Sequence, residues 1–236
     1  MTTLIRLDKY LADLGIGTRS EVKIYIRKGR VTVDGIKATS SDMKISTDAQ
    51  VVFDGKQLEF ELLEYYMLNK PAGVVSATMD NFCTTVVDLI EEGKKKELFP
   101  VGRLDKDTEG LLIITNDGDL AHKLLSPKKH VPKVYFAKIN GRITEEDTHA
   151  FREGIELGDF KAMPAEITIL ESAEESSVEI TIFEGKFHQV KRMFEALGKE
   201  VLYLKRLSMG ELKLDESLEV SQYRKLTNEE LLLLKK

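Results

Sequence analysis

Gly102 and Gly110 bracket seven residues, Arg103-Leu104-Asp105-Lys106-Asp107-Thr108-Glu109, five of them charged. The apolar run Leu111-Leu112-Ile113-Ile114 follows at once. A charged loop that feeds a buried strand sets side chains at the edge of a core, where a carboxylate can be desolvated and paired with a cation. Such a carboxylate can serve as nucleophile or base. Arg103, Asp105 and Asp107 alternate, so extended backbone would put them on one side. The same spacing also suits a surface turn ahead of a core strand.

A second segment, Glu184-Gly185-Lys186-Phe187-His188-Gln189-Val190-Lys191-Arg192-Met193-Phe194, reads as a turn entering an amphipathic helix. Val190, Met193, Phe194 and Leu197 form its apolar stripe. Lys191 and Arg192 lie off that stripe, where they can hold a phosphate, orient an acidic group, or simply face solvent. In Lys133-Val134-Tyr135-Phe136-Ala137-Lys138 aromatic rings sit among cations. Tyr135 there is either a stacking face for an unpaired base or a core strand residue.

Other chemistries lack their residues. His122, His130, His149 and His188 show no metal-ligand spacing, so no metal site is expected. Neither a GxSxG elbow nor a Gly-rich phosphate loop occurs. Cys83 is the single cysteine, which excludes an intrachain disulfide and fits a reducing cytoplasm. No run of about 18 apolar residues marks a membrane span, and the charged start of the chain does not read as a signal peptide.

The positioning elements follow from periodicity. Leu4, Leu7, Leu11 and Leu14 predict a first helix that Gly15 ends. Thr18 or Ser20 would cap a second, Arg19–Lys28, with Val22 and Ile26 buried and Gly29 closing it. Alternation predicts strands at Arg30–Val33 and near Val51–Phe53, each followed by an Asp-Gly turn. Residues 54–64 read as a linker. Beyond it, strands are predicted at 65–70, 74–77, 111–115, 134–140, 167–170, 178–183 and 201–206. Helices are predicted at 84–91, 120–125, 145–153 and 188–197. Strands outnumber helices without strict alternation, which indicates an α+β fold with a mostly antiparallel sheet. The expected domains are 1–60 and 61–236.

Net charge is −5 across 236 residues, with 35 Lys and Arg against 40 Asp and Glu. That total argues against a uniformly basic, nucleic-acid-coating surface. The distribution says otherwise. Residues 1–37 carry eight basic and four acidic side chains, 122–142 carry six basic and none acidic, and 185–206 carry six against two. Residues 145–180 hold eleven acids against two bases. Three basic segments folded onto one face would track a phosphate backbone.

The order RLDKYLADLG…TRSEVKIYIRKGRVTVDG, covering about residues 4–50, resembles the small αL-type RNA-binding domain of ribosomal protein S-four. MLNKPAGVVSAT (67–78), GRLDKDTEGLLIITNDG (102–118), KVY (133–135) and EGKFHQVKRMFEALG (184–198) resemble, in order, the RsuA-type pseudouridine synthases of ribosomal small-subunit RNA. The resemblance spans nearly the whole chain. It implies a catalytic domain built on a mostly antiparallel mixed sheet with flanking helices, behind an N-terminal RNA-binding domain.

The resemblance also implies site residues. Asp105 matches the catalytic aspartate and Tyr135 the tyrosine that packs on the target uracil. The basic helix supplies the cation that pairs with the aspartate, Lys191 first, with Lys186 and Arg192 as the other choices. Arg103 would aid strand separation or phosphate contact, and Asn69, Lys70 and Pro71 would shape the loop beside the site. Asn69, Lys70 and Gln189 also join the RNA contacts, as do Arg6, Arg19, Lys23, Arg27 and Arg30 of the first domain. Lys186 departs from the arginine frequent there and lacks its bidentate grip.

The expected reaction isomerises a uridine of 16S ribosomal RNA, free or in an assembling small-subunit ribonucleoprotein, without cofactor or metal. The protein is expected to be a cytoplasmic monomer, with the acidic 145–180 stretch facing away from RNA. A large-subunit synthase of the same family and a non-catalytic RNA-binding assembly factor remain alternatives.

Overall fold

The computed structural model describes residues 4–58, 63–91 and 97–235. The chain divides into two compact units, Met1–Leu62 and Leu63–Lys236.

In the first unit the elements are β1 (Leu4–Arg6), α1 (Leu7–Asp13), α2 (Arg19–Arg27), β2 (Val31–Val33), β3 (Ile36–Lys37), β4 (Lys44–Ser46), β5 (Val51–Phe53) and β6 (Lys56–Leu58). Helix α2 starts in a capping box: Thr18 Oγ1 accepts from the Glu21 amide while the Glu21 carboxylate accepts from the Thr18 amide. Such a cap stabilises by about 1 kcal/mol. Val22 and Ile26 of α2 pack with Leu7, Tyr10, Leu11, Val31 and Val51 in one small core. Strands run β3-β2-β5-β6, and two Asp-Gly turns join the hairpins. Asp34, Gly35, Asp54 and Gly55 all have positive φ, as two-residue hairpin turns require.

Two expectations change here. Leu4 does not join the first helix; it lies exposed on β1, which pairs antiparallel with β4. A distant strand partner outweighs a helical period that only α1 needs. The predicted linker, 54–64, opens instead with the turn and β6, which pairs with β5. Its residues 59–62 lie outside the described residues.

The second unit contains β7 (Tyr65–Lys70), β8 (Phe99–Pro100), β9 (Glu109–Thr115), α3 (Gly118–Leu125), β10 (Lys133–Asn140), α4 (Glu145–Glu153), β11 (Glu166–Glu171), β12 (Glu175–Ile182), α5 (Gln189–Ala196), β13 (Glu200–Met209), β14 (Leu212–Lys213), β15 (Tyr223–Lys225) and α6 (Asn228–Lys235). One sheet runs β11-β12-β10-β13-β9-β7-β15, with β14 on β13 and β8 on β9. Every pairing is antiparallel except β13 with β9. The fold is thus α+β with a mostly antiparallel mixed sheet.

Both faces of the central strands are covered, which explains their continuous apolar runs. Tyr66, Leu68, Leu112 and Ile114 pack with Phe151 of α4 and with Val190, Met193 and Phe194 of α5. Met67, Leu111 and Ile113 point the other way, to Leu120 and Leu124 of α3 and Leu234 of α6. At the parallel join, Gly110 has φ +98°, and a Cβ there would lie 2.3 Å from the carbonyl oxygen of Arg206. Only glycine admits that approach.

Two predicted elements are absent. Residues 74–77 form a single bridge, Val75 to Thr85, rather than a strand. Residues 84–91 turn rather than coil into a helix, because the Asp88 carboxylate takes both the amide and hydroxyl of Thr85. Helix α6 was not predicted, although Thr227 and Glu230 exchange capping hydrogen bonds at its start.

Candidate active site

The charged loop between β8 and β9 is anchored from beneath. Lys70, fully buried at the end of β7, donates to the carbonyls of Pro71 (2.9 Å), Lys106 (3.3 Å) and Thr108 (2.9 Å). The Gly73 amide donates to the Lys106 carbonyl at 2.7 Å, and Ser76 Oγ donates to the Leu104 carbonyl at 2.8 Å. Burial pushes the Lys70 ammonium down to about 8, although Asp107, Asp105 and Glu109 oppose it.

This loop meets the start of α5. Lys191 Nζ lies 3.3 Å from Asp105 Oδ2 and 2.6 Å from Asp107 Oδ1. One ammonium therefore bridges two carboxylates that a two-residue step would otherwise set in repulsion. Burial opposes the Lys191 charge, but the Asp107 hydrogen bond and the Asp105 charge prevail and raise its pKa. The same hydrogen bond holds Asp107 below the usual carboxylate range. His188 Nε2 stands 3.6 Å from Asp105 Oδ1, and the His188 backbone has φ +48° at the helix start. Left-handed backbone at a residue other than glycine costs energy and often marks a functional position.

Tyr135 comes from the other side. On β10, Lys133, Tyr135, Ala137 and Ile139 share the buried face. Tyr135 is nearly buried and lines the same cleft as Asp105, with Arg103, Lys133, Lys186, Gln189 and Arg206 also on its walls. Tyr135 faces Arg206 across the β10–β13 pairing. Arg206 is buried, and its Nε donates to the Leu111 carbonyl at 2.7 Å. Burial, reinforced by Arg206 and resisted by Glu184, pushes Lys133 down to about 8. None of the described residues lining this cleft comes from 145–180.

Of the three candidate cations, only Lys191 reaches Asp105. Arg192 turns away, ion-paired with Asp159 and donating to the Leu157 carbonyl at 2.8 Å. Lys186 lines the cleft with its Nζ 5.3 Å from the Phe160 ring centroid. Gln189 lines the cleft but is largely buried, with Nε2 donating to Glu184 at 2.8 Å.

Two expected RNA contacts are corrected by burial. Asn69 donates internally to the Leu218 carbonyl at 2.7 Å, and Lys70 is the loop anchor already described. In the first unit Arg19, Lys23 and Arg27 are exposed along α2. Arg6 pairs with Asp8, whereas Arg30 pairs with Asp54 and lies over the rings of Tyr25 and Phe53. His188, Lys133 and Arg206 were not picked out as site residues. His188 sits in the very motif that carries Lys191, and Lys133 two residues before Tyr135, so both had a signal; Arg206 is brought in by β-pairing alone.

A carboxylate paired with a lysine, in a cleft that a tyrosine and several cations line, suits chemistry on a planar group carried by a phosphate chain. Among the described residues no three His, Cys, Asp or Glu side chains gather as a metal site. No described helix is long and apolar enough to cross a membrane.

Comparison with known proteins establishes the family. Residues 64–196 match the RNA pseudouridylate synthase family, and residues 5–51 match the S4 domain. The chain belongs to the RNA pseudouridine synthases. It is 48% identical to an uncharacterized RNA pseudouridine synthase of Bacillus subtilis (strain 168), over 98% of both chains. It is 41% identical to ribosomal small subunit pseudouridine synthase A of Vibrio vulnificus (strain CMCP6), over 96% of this chain and 98% of that one. It is 37% identical to ribosomal large subunit pseudouridine synthase B of Bacillus subtilis (strain 168), over 95% and 93%. A crystal structure of a pseudouridylate synthase superposes with a TM-score of 0.69 at 38% identity, covering 98% of this chain and 99% of that one.

The buried lysines make stability depend on pH in a defined direction. Lys70 and Lys133 lose their protons near 8 in the folded protein but near 10.5 when unfolded. Between those values the unfolded chain binds more protons, so stability rises with pH. Burial, with Asp117 and Glu109 as partners, holds the Tyr65 and Tyr203 hydroxyls protonated well above their usual range. That reverses the slope above about pH 10. Thermal melts at constant ionic strength should show Tm rising from about pH 8 to 9.5. Lys133→Met, which removes one of two equally shifted groups, should reduce the rise by about half. A flat wild-type profile would contradict the assignment.

Proposed function

We propose that this enzyme converts a specific uridine of 16S ribosomal RNA to pseudouridine. The net reaction breaks the N1–C1′ bond, joins C5 to C1′, releases the C5 proton and leaves a proton on N1. Asp105 is the reacting carboxylate, whether it attacks C6, attacks C1′ or promotes elimination to a glycal. Lys191 pairs with it, and Tyr135 packs on the uracil. The single supporting observation is the Asp105–Lys191 contact of 3.3 Å at the wall of the cleft that Tyr135 lines. A base stacked in RNA cannot reach that wall, so the uridine must be extruded at a cost of about a few kcal/mol.

The choice of 16S RNA follows the relatives of this length, several of which are small-subunit synthases, at up to 41% identity. The large-subunit relative at 37% supplies the second reading. Exposed cations on α2 support RNA binding by the first unit through phosphates rather than base edges. A cytoplasmic protein acting as a monomer, on free RNA or on an assembling small subunit, completes the proposal.

Pseudouridine mapping over both ribosomal RNAs, from cells with and without the protein, decides between the readings. Loss of one 16S site that purified protein restores is the expected result. Loss of a 23S site instead selects the second reading, and no lost site overturns both.

A further inference from the structure

At the cleft mouth and in the turn beside it stand two bare aromatic rings that the chemistry above does not use. Phe82 is 96% exposed and Phe187 is 74% exposed. Isolated exposed phenylalanines are unremarkable on a protein surface. These two differ because Phe187 lines one opening, and Phe82 sits in a turn between Asp80, which lines it, and Cys83, which Lys106 of the same lining reaches.

Phe187 lines the mouth and stacks on His188, ring centroids 3.8 Å apart and planes 18° apart. His188 in turn stands 3.6 Å from Asp105, so the exposed ring continues a stack that begins beside the reacting carboxylate. Phe82 follows Asp80, which also lines the mouth. Asp80 Oδ1 accepts from the amides of Phe82 and Cys83, both at 2.8 Å, which sets the turn that presents the ring. Lys106 of the Asp105 loop reaches Cys83 Sγ at 3.6 Å, tying that turn to the catalytic segment. Arg103, Lys106, Lys133 and Lys186 supply positive charge around the same opening.

Aromatic faces interleaved with cations hold single-stranded nucleic acid, the rings taking bases and the cations taking phosphates. We infer that Phe82 and Phe187 are stacking platforms for the two nucleobases that flank the extruded uridine in the RNA strand. Extrusion strips each neighbour of one stacking partner, and a ring at the cleft mouth replaces it. Every base has a π face, so the platforms tolerate sequence while fixing the strand's register over Asp105. The inference rests on the RNA-modifying function proposed above and names how that site holds its substrate.

The test is a cycle between protein and RNA. Wild type, Phe82→Ala and Phe187→Ala are assayed on a transcript spanning the mapped uridine. The transcript is intact, or abasic on the 5′ side or the 3′ side of that uridine. Each alanine should raise KM about tenfold while kcat moves less than about twofold. Each ring should couple to one flank, so that its alanine and that abasic site together cost no more than either alone. Phe187→Tyr should keep the wild-type KM, and Phe187→Leu should not. Losses that multiply, or full rescue by leucine, overturn the inference. A wild-type protein that forms no pseudouridine on either ribosomal RNA overturns the proposed function itself, and the platforms with it.

Discussion

Asp105→Asn should lower the rate of pseudouridine formation at least ~10⁴-fold and leave RNA affinity within about twofold. Asparagine has nearly the same shape but can act neither as a nucleophile nor as a base. The variant should fold, because Lys191 keeps its 2.6 Å bond to Asp107, and α5 therefore stays docked on the loop. The loop itself hangs from Lys70, Gly73 and Ser76, whose hydrogen bonds go to the backbone carbonyls of Leu104, Lys106 and Thr108. Single-turnover assays on the mapped transcript, with filter binding in parallel, separate chemistry from affinity. Turnover near the wild-type rate would remove Asp105 from the mechanism.

Lys191→Met keeps the length of the side chain and removes its charge. Asp105 and Asp107 then face each other with no ammonium between them, and His188 is the nearest remaining group that can carry positive charge. We expect kcat at neutral pH to fall roughly 10²-fold. The Asp107 carboxyl, which the Lys191 hydrogen bond holds below the usual carboxylate range, should take up its proton at higher pH in this variant, as an NMR titration would read. Lys191→Arg should recover much of the rate while falling short of lysine, since a planar guanidinium cannot bridge two carboxylates in the same geometry. A purely packing role for Lys191 predicts no movement of the Asp107 titration in any variant. Equal titrations for Met, Arg and Lys would therefore reject the electrostatic role.

The folding reasons behind these two variants were legible to different degrees. Asp105 stood out because a dense charge cluster runs straight into Leu111–Ile114, and that juxtaposition is local. Lys191 stood out with equal-looking rivals. Lys186, Lys191 and Arg192 lie within seven residues, and spacing cannot say which faces the carboxylate. The packing of Val190, Met193 and Phe194 against the sheet sets the roll of α5, and that roll sends Lys191 to Asp105 and Arg192 to Asp159.

Asn69 and Lys70 were misread for a related reason. Polar residues beside a candidate site look like contacts for a ligand until their carbonyl partners are visible. Lys70 finds three such partners on the 106–108 and Pro71 backbone, and Asn69 finds Leu218 almost 150 residues away. The predicted helix at 84–91 failed likewise, since the Thr85–Asp88 hydrogen bonds offer the backbone a turn that helical periodicity does not register.

By itself the sequence determined the elements whose reasons are local: α2 with Thr18 or Ser20 as its cap, the two Asp-Gly hairpins, most of the apolar strands, the α+β class, and Asp105, Tyr135 and Lys191 as candidates. Tertiary structure alone decided which cation meets Asp105, that Lys70 is a buried anchor, that Arg206 reaches the cleft, and that the acidic 145–180 stretch contributes nothing to its walls. The division has a physical cause. Turn chemistry and hydrophobic period act over a few residues, whereas side-chain pairing at a site depends on strand register and helix roll set by contacts distant in the chain.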